Sequence, residues 1–219
     1  MKKIVTISIS LAISSVILAQ NWDEPKYEPM KLYEGYIITN EGDTIHGFLK
    51  AQYPNDLLSS NQNSCHFYKT KDQKKSTKYK PKEIKGYTLA GKHYVSMNYT
   101  GGTATKLKNF VLLVKKGGIS EYVYYYQPDS KAVLVLGQQP NESKTDYYNR
   151  IYSKKTVYYR EGATPYDTQN LAMGFKKKMA GLVADDKELA SKVANKEKGY
   201  RMFQLQKIID EYNQWYKAK

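Results

Sequence analysis

The chain of 219 residues has a single cysteine, Cys65, three histidines and, among 35 basic residues, only three arginines. One cysteine excludes an intramolecular disulfide and any multi-cysteine zinc or iron–sulfur site. His46, His66 and His93 fall on three different predicted strands and form no H-x-H, H-E-x-x-H or H-x-x-x-H pair, so no metal site is assigned. Asp43 and His46 would approach one metal only if the turn between their strands bent back, and Asp43 is read as closing that turn through backbone bonds. A G-x-S-x-G nucleophile elbow and a G-x-x-x-x-G-K-[ST] phosphate loop are both missing. Gly101-Gly102 and Gly117-Gly118 read as hairpin glycines that open no helix, so no catalytic residue and no cofactor is expected. Arginine, whose planar fork suits phosphate recognition, occurs only as Arg150, Arg160 and Arg201, which argues against specific nucleic-acid binding. Long apolar runs are scarce too. The stretch from Ile4 to Leu18 is shorter than the roughly 20 residues a bilayer-crossing helix needs.

Lysine and tyrosine are abundant. The net charge is +14, carried almost wholly by lysine, and 22 of the aromatic residues are tyrosine against five Phe and two Trp. Lys2 and Lys3 precede the apolar stretch, which ends in Val16-Ile17-Leu18-Ala19, the three-part build of a secretory signal. Cleavage between Ala19 and Gln20 is expected, and the two lysines removed reduce +14 to +12. The exported product would be periplasmic, outer-membrane-associated or secreted. With no disulfide to staple it, the protein must be held by its core, and Cys65 is read as a small apolar residue in a strand.

After an extended lead-in over residues 20–31, short β-branched and aromatic runs alternate with turn residues, which predicts a β-rich domain over residues 32–160. Leu32 to Thr39 and Thr44 to Lys50 flank Asn40-Glu41-Gly42-Asp43 as a hairpin. Pairing Thr39 with Thr44 would set Gly35 opposite Phe48 and Gly47 opposite Tyr36, each glycine covered by an aromatic ring. Further strands are read at Ser64–Thr70, Ile84–Leu89, His93–Tyr99, Asn109–Lys116, Ile119–Gln127, Ala132–Leu136 and Lys155–Tyr159, with a lysine-heavy loop over 71–80. The 109–127 ribbon, meeting at Gly117-Gly118, pairs Phe110 with Tyr125, Leu112 with Val123 and Leu113 with Tyr122. Both of its faces are apolar or amphipathic, so it should be central in the sheet with something packed on each side. Past Pro165 the period changes. Leu171, Phe175, Met179 and Leu182 mark one amphipathic helix, Leu189 and Val193 a second, and Leu205, Ile208, Ile209, Tyr212 and Trp215 or Tyr216 the stripe of a last helix beginning near Gly199. The predicted architecture is α+β: an antiparallel, hairpin-built sheet followed by a packed C-terminal helical part over residues 166–217.

The run Gly35-Tyr36-Ile37-Ile38-Thr39-Asn40-Glu41-Gly42-Asp43-Thr44-Ile45-His46-Gly47 resembles the G-Y-I-x-T-x-x-G-D-T-I-x-G signature of uncharacterised secreted envelope proteins of Bacteroidota. Tyr79 to Tyr87 is similar to their Y-x-P-x-E-I-x-G-Y element, and Ile209-Asp210-Glu211-Tyr212-Asn213 to their closing helix with its tyrosine–asparagine pair. The resemblance implies an envelope location and supplies no catalytic residues. Asp43-Thr44-Ile45 also resembles the D-[ST]-apolar acceptor for O-glycosylation in that phylum.

Tyr122, Tyr124 and Tyr126 alternate along one predicted strand and form the candidate binding face, against the plainer reading of sheet packing. The function expected is a non-enzymatic exported envelope protein that binds a partner protein or a surface polymer such as a glycan. One alternative is a periplasmic hydrolase built from dispersed carboxylates such as Glu83, Glu121, Asp129 and Glu161, which requires two acids facing each other across a cleft. Another is a peripheral protein drawn weakly to anionic membrane surface.

Overall fold

The computed structural model describes residues 25, 27, 28, 30–51, 58–101, 107–126, 137–143, 146–147 and 153–219. The signal segment with Ala19 and Gln20, most of the lead-in, the expected strand at 132–136, Asp129 and Arg150 lie outside the described residues. Ten antiparallel strands are followed by helices, an α+β fold in which the sheet comes first.

The strands are β1 (Leu32–Thr39), β2 (Thr44–Lys50), β3 (Cys65–Tyr68), β4 (Thr77–Tyr79), β5 (Ile84–Leu89), β6 (Lys92–Met97), β7 (Asn109–Lys115), β8 (Ser120–Tyr126), β9 (Ser153–Tyr159) and β10 (Tyr166–Asp167). Their order across the sheet is β10-β9-β8-β7-β6-β5-β1-β2-β3-β4. Two short strands escaped the sequence reading: β4, inside the lysine-heavy loop, and β10.

The first hairpin has the expected strands in a different register. Ile38 pairs with Thr44, so Gly35 faces Gly47 and Tyr36 faces His46. The loop is three residues long: Thr39 N–H donates to the Asp43 carbonyl at 2.9 Å, Gly42 N–H donates to the Thr39 carbonyl at 3.1 Å, and Gly42 sits at φ +107. A tight turn followed by a residue of positive φ takes one residue fewer than the loop expected from sequence and shifts every pair by one. The glycines are covered by other groups. A Cβ at Gly47 would lie 2.6 Å from the Phe67 ring on β3, and one at Gly35 would lie 2.1 Å from the Thr88 carbonyl oxygen on β5.

The β7–β8 ribbon is interior, with Leu112 opposite Val123 and Leu113 opposite Tyr122 as expected. The register then shifts between Leu113 and Lys115, and β8 starts at Ser120, so Lys116 does not face Ile119. At the other end Phe110 and Tyr125 do not pair. The amide of Gln62 takes the strand's place, accepting from Tyr125 N–H at 2.6 Å and donating to the Tyr125 carbonyl at 3.0 Å.

That contact reports the curvature of the sheet. Gln62 ends the short 3-10 helix Leu58–Gln62 and lies three residues before Cys65 of β3, a reach of about 10 Å. In a flat sheet β3 and β8, six places apart, would be separated by about 29 Å. The sheet therefore curls around its main core, which gathers Ile37, Leu49, Phe67, Tyr87, Tyr94 and Val123 on one face. Tyr87 stacks on Tyr94 at 4.7 Å and meets Phe110 edge-on at 4.9 Å, while its hydroxyl donates to the Asn61 carbonyl. Tyr27 of the lead-in reaches the same core through the Tyr94 hydroxyl at 2.9 Å. The opposite face of β6–β9 buries a smaller cluster of Met97, Tyr99, Val111, Tyr122 and Val157.

The helices are α1 (Thr168–Ala172), α2 (Phe175–Leu182), α3 (Lys187–Ala194) and α4 (Leu205–Lys217), the last preceded by the 3-10 helix Met202–Gln204. The single amphipathic helix expected over Leu171 to Leu182 is two, broken at Met173-Gly174 with Gly174 at φ +92, and α4 begins later than Gly199. Leu171, Met179, Leu182, Leu189, Ile208 and Tyr212 share a third core with Ile119 and Tyr158 of the sheet. Among the described residues no helix is long and apolar enough to cross a membrane.

Candidate functional site

The expected tyrosine face is mostly interior. Tyr122 is 6 % exposed and meets Tyr159 edge-on, and Tyr124 is half-buried against Tyr99 at 5.2 Å. Only Tyr126, 41 % exposed, reaches solvent, and the Lys155 ammonium lies 4.8 Å from its ring centroid while bonding the Gly101 carbonyl. Burial pushes the Tyr122 hydroxyl up to about 12 and raises that of Tyr124. Alternation along β8 sets the three side chains on one face, but neighbouring elements cover that face, so no three-ring platform is presented.

The histidines are closer than their sequence spacing suggests. His46 on β2 and His93 on β6 flank Tyr36 of β1, with ring centroids 5.5 and 6.2 Å away, and the Thr88 hydroxyl lies 3.0 Å from His93 Nδ1. His66 is apart from this row, its Nδ1 2.8 Å from the Ser76 hydroxyl. Among the described residues no group of three His, Cys, Asp or Glu could hold a metal ion. Asp43 serves the turn: its carbonyl accepts from Thr39 and its N–H donates to the Thr39 hydroxyl. Thr44 is exposed at the start of β2.

Of the candidate acids, Asp129 lies outside the described residues, Glu161 is exposed in the turn after β9, and Glu83 and Glu121 are tied into structural bonds. Glu83 accepts from Lys80 N–H at 2.7 Å in a turn. Glu121 and Asp210 do approach each other, yet both accept from Gln206 and both face Lys115, which joins the β7–β8 ribbon to α4. Asp167, 2 % exposed, accepts from the Tyr99 hydroxyl at 2.6 Å and caps α1 through Asn170 N–H at 2.7 Å. Glu121, Asp210 and Asp167 thus tie elements together, while Glu83 closes a local turn.

A concavity with a distinct chemical character lies on the helices. The helical period breaks at Gly174 before α2, and α3 ends at Ala194, followed by Lys196 at φ +54 before the chain returns through Tyr200-Arg201-Met202. Between these segments opens a solvent-facing groove of about 940 Å³. Ala172, Phe175, Ala180, Ala194, Tyr200 and Met202 supply its apolar surface. Lys176, Lys177, Lys196 and Arg201 supply its charge, and no carboxylate lines it. The Arg201 Nε donates to the Lys196 carbonyl at 3.3 Å, which uses one of the five guanidinium donors and fixes the fork beside the groove.

The electrostatics at the head of α2 run against the helix. Helix N-termini favour negative charge, because their first N–H groups are unpaired and the peptide dipoles add there. α2 instead begins with Phe175-Lys176-Lys177-Lys178, with no acid in its first turn and no side-chain cap from Gly174. Lys115, Arg160 and Lys192 of the same region pair with carboxylates. Among the described residues, none of the four cations at the groove makes an ion pair. The helical spacing places Lys176 to Lys178 partly on the outer side of a helix, and two are exposed while Lys178 is half-buried. It misses the groove, because the lining comes from three separate segments. The signal that was present is Gly174 inside the helical period, followed by three lysines.

No protein-family model, curated protein or solved structure matches this chain.

Proposed function

We propose that this is an exported, non-enzymatic envelope protein that binds an anionic surface component, a polymer or a lipid headgroup, in the groove between α2, α3 and the Tyr200–Met202 segment. The observation that carries the reading is the lining: an apolar floor, four cations without ion pairs among the described residues, and no carboxylate. Such a surface attracts anions over about a Debye length and holds the apolar part of whatever carries them. Export rests on the Lys2-Lys3 head, the apolar stretch and Ala19, together with the resemblance of Gly35 to Gly47 to secreted Bacteroidota envelope proteins. A binding role, in preference to carboxylate hydrolysis, is supported by the engagement of Glu121, Asp167 and Asp210 in ties between elements and of Glu83 in a turn.

The test is binding of a soluble anionic polysaccharide, dextran sulfate, followed across a salt series. Affinity should fall steeply as salt rises. Lys176→Glu/Lys177→Glu should weaken binding roughly tenfold or more, whereas Lys71→Glu/Lys74→Glu, in the loop before β4, should change it little. Equal loss from the two pairs would mean that the whole basic surface acts and the groove does not.

A further inference from the structure

Two exposed apolar side chains stand beside the groove in the chain. Met173, between the lining residues Ala172 and Gly174, is 69 % exposed, and Phe203, next to the lining residue Met202, is 97 % exposed. Met202 is drawn toward the helical core while its neighbour points out. A fully exposed phenylalanine contributes nothing to the fold. Beside four cations and a second bare apolar residue it completes a pattern that soluble polyanions do not require. Apolar residues next to Lys and Arg are what a protein lying at a bilayer interface presents, the bases to the headgroups and the apolar tips to the acyl boundary.

Resting on the proposed anionic-ligand groove, we infer that its occupant is the surface of an acidic phospholipid bilayer, entered by Phe203 and Met173 while Lys176, Lys177, Lys196 and Arg201 hold the headgroups. Each lysine close to such a surface strengthens binding by roughly fivefold, and each buried apolar tip by roughly tenfold or more. Zwitterionic vesicles should bind weakly, because the tips alone lack the electrostatic term.

The experiment uses the purified exported protein with vesicles of phosphatidylglycerol and phosphatidylcholine, vesicles of phosphatidylcholine alone, and dextran sulfate. Met173→Ser/Phe203→Ser, two changes at exposed positions whose folding is checked by thermal denaturation, should lower affinity for the acidic vesicles at least about tenfold and leave dextran sulfate binding unchanged. Lys176→Glu/Lys177→Glu should lower both. If the serine variant binds acidic vesicles as the parent does, the bilayer inference is overturned while the groove reading stands. If it loses dextran sulfate as well, the two side chains act on the ligand inside the groove and the insertion is again refuted. If the charge-reversed variant keeps both ligands, the groove reading itself falls. A Phe203→Trp variant supplies a direct reading: its emission should shift to the blue on acidic vesicles and be quenched by brominated acyl chains, and unshifted emission with full binding would overturn the insertion.

Discussion

Removing the Asn213 side chain should unlatch the sheet from the helices. Asn213 lies on α4, is 7 % exposed, and spans the backbone of a single residue across the interface: its Oδ1 accepts from Ile119 N–H at 2.8 Å and its Nδ2 donates to the Ile119 carbonyl at 3.0 Å. Ile119 is fully buried in the helical core, just before β8 begins. Its peptide groups have left the β7–β8 ladder, which shifts register before reaching them. Gly117 and Gly118 permit the fit: a Cβ at Gly117 would lie 2.6 Å from Asn213 Nδ2, and one at Gly118 would lie 2.5 Å from the Tyr216 ring. Asn213→Ala leaves one buried donor and one buried acceptor without partners, at about 1–3 kcal/mol for each and about 2–6 kcal/mol for the pair. That is a large fraction of the stability of an ordinary domain. Urea denaturation reads it as a lowered midpoint at unchanged slope. Asn213→Asp keeps an acceptor for the Ile119 N–H but sets a second acceptor against the Ile119 carbonyl, so it should cost at least as much as alanine at neutral pH. A loss below about 1 kcal/mol for alanine, or an aspartate variant as stable as the parent, would refute the latch.

Two further outcomes follow from charge. Lys176→Glu/Lys177→Glu, expected to weaken anion binding, should make the protein more stable by roughly 0.3–1 kcal/mol at low salt, since it gives α2 the acidic first turn it lacks. Thermal denaturation with and without added salt checks this, and a destabilised variant would mean that the lysines are structural. Burial, with Lys78 and Lys50 nearby, holds the His66 imidazole below its ordinary 6.5. The unfolded chain then takes up its proton first as pH falls. The contribution of His66 to stability is complete above pH 6.5 and is lost as pH drops through the lower folded value, and His66→Gln should flatten that slope in denaturation midpoints measured from pH 7.5 to 5.

Strand positions were largely legible because β-branched and aromatic runs end at turn residues: β1, β2 and β5 stand where the runs do. Register was less so. Gly35 and Gly47 carry no side chain to say which neighbour they face, and only the positive φ of Gly42 sets the loop length. β4 is three residues inside a lysine run, too short for alternation to show. The 4-4-3 spacing from Leu171 to Leu182 continues across the break at Gly174, since both short helices turn their apolar sides to the same core. Cys65 was read correctly as a strand residue: it is 2 % exposed, and burial pushes its thiol up to about 12. For Tyr122 and Tyr124 the alternation was visible, but the cover was not, because Tyr99 and Tyr159 arrive from distant segments. The Tyr212-Asn213 pair was visible as a motif, while its part in latching Ile119 needs two elements 94 residues apart.

The two compositional biases, lysine and tyrosine, meet in the structure, and where they fail to meet is informative. Lysine can lay its stem and ammonium over an aromatic face, which satisfies the charge locally and covers the ring. On the helical layer Lys178 does this over Tyr166, Lys192 and Lys207 over Tyr200, and Lys219 over Trp215. On the sheet Lys71 does so over Phe48 and Lys155 over Tyr126. Most of these lysines are therefore already engaged by the protein itself. Lys176, Lys177 and Lys196 have neither a ring nor a carboxylate among the described residues, although Phe175 and Tyr200 line the same groove. Tyr200 already has the Lys192 and Lys207 ammonium groups 5.4 and 4.2 Å from its ring centroid. Lys176, Lys177 and Lys196, joined by Arg201, line one apolar concavity that has no carboxylate among its lining residues, the geometry on which the proposed anion binding rests.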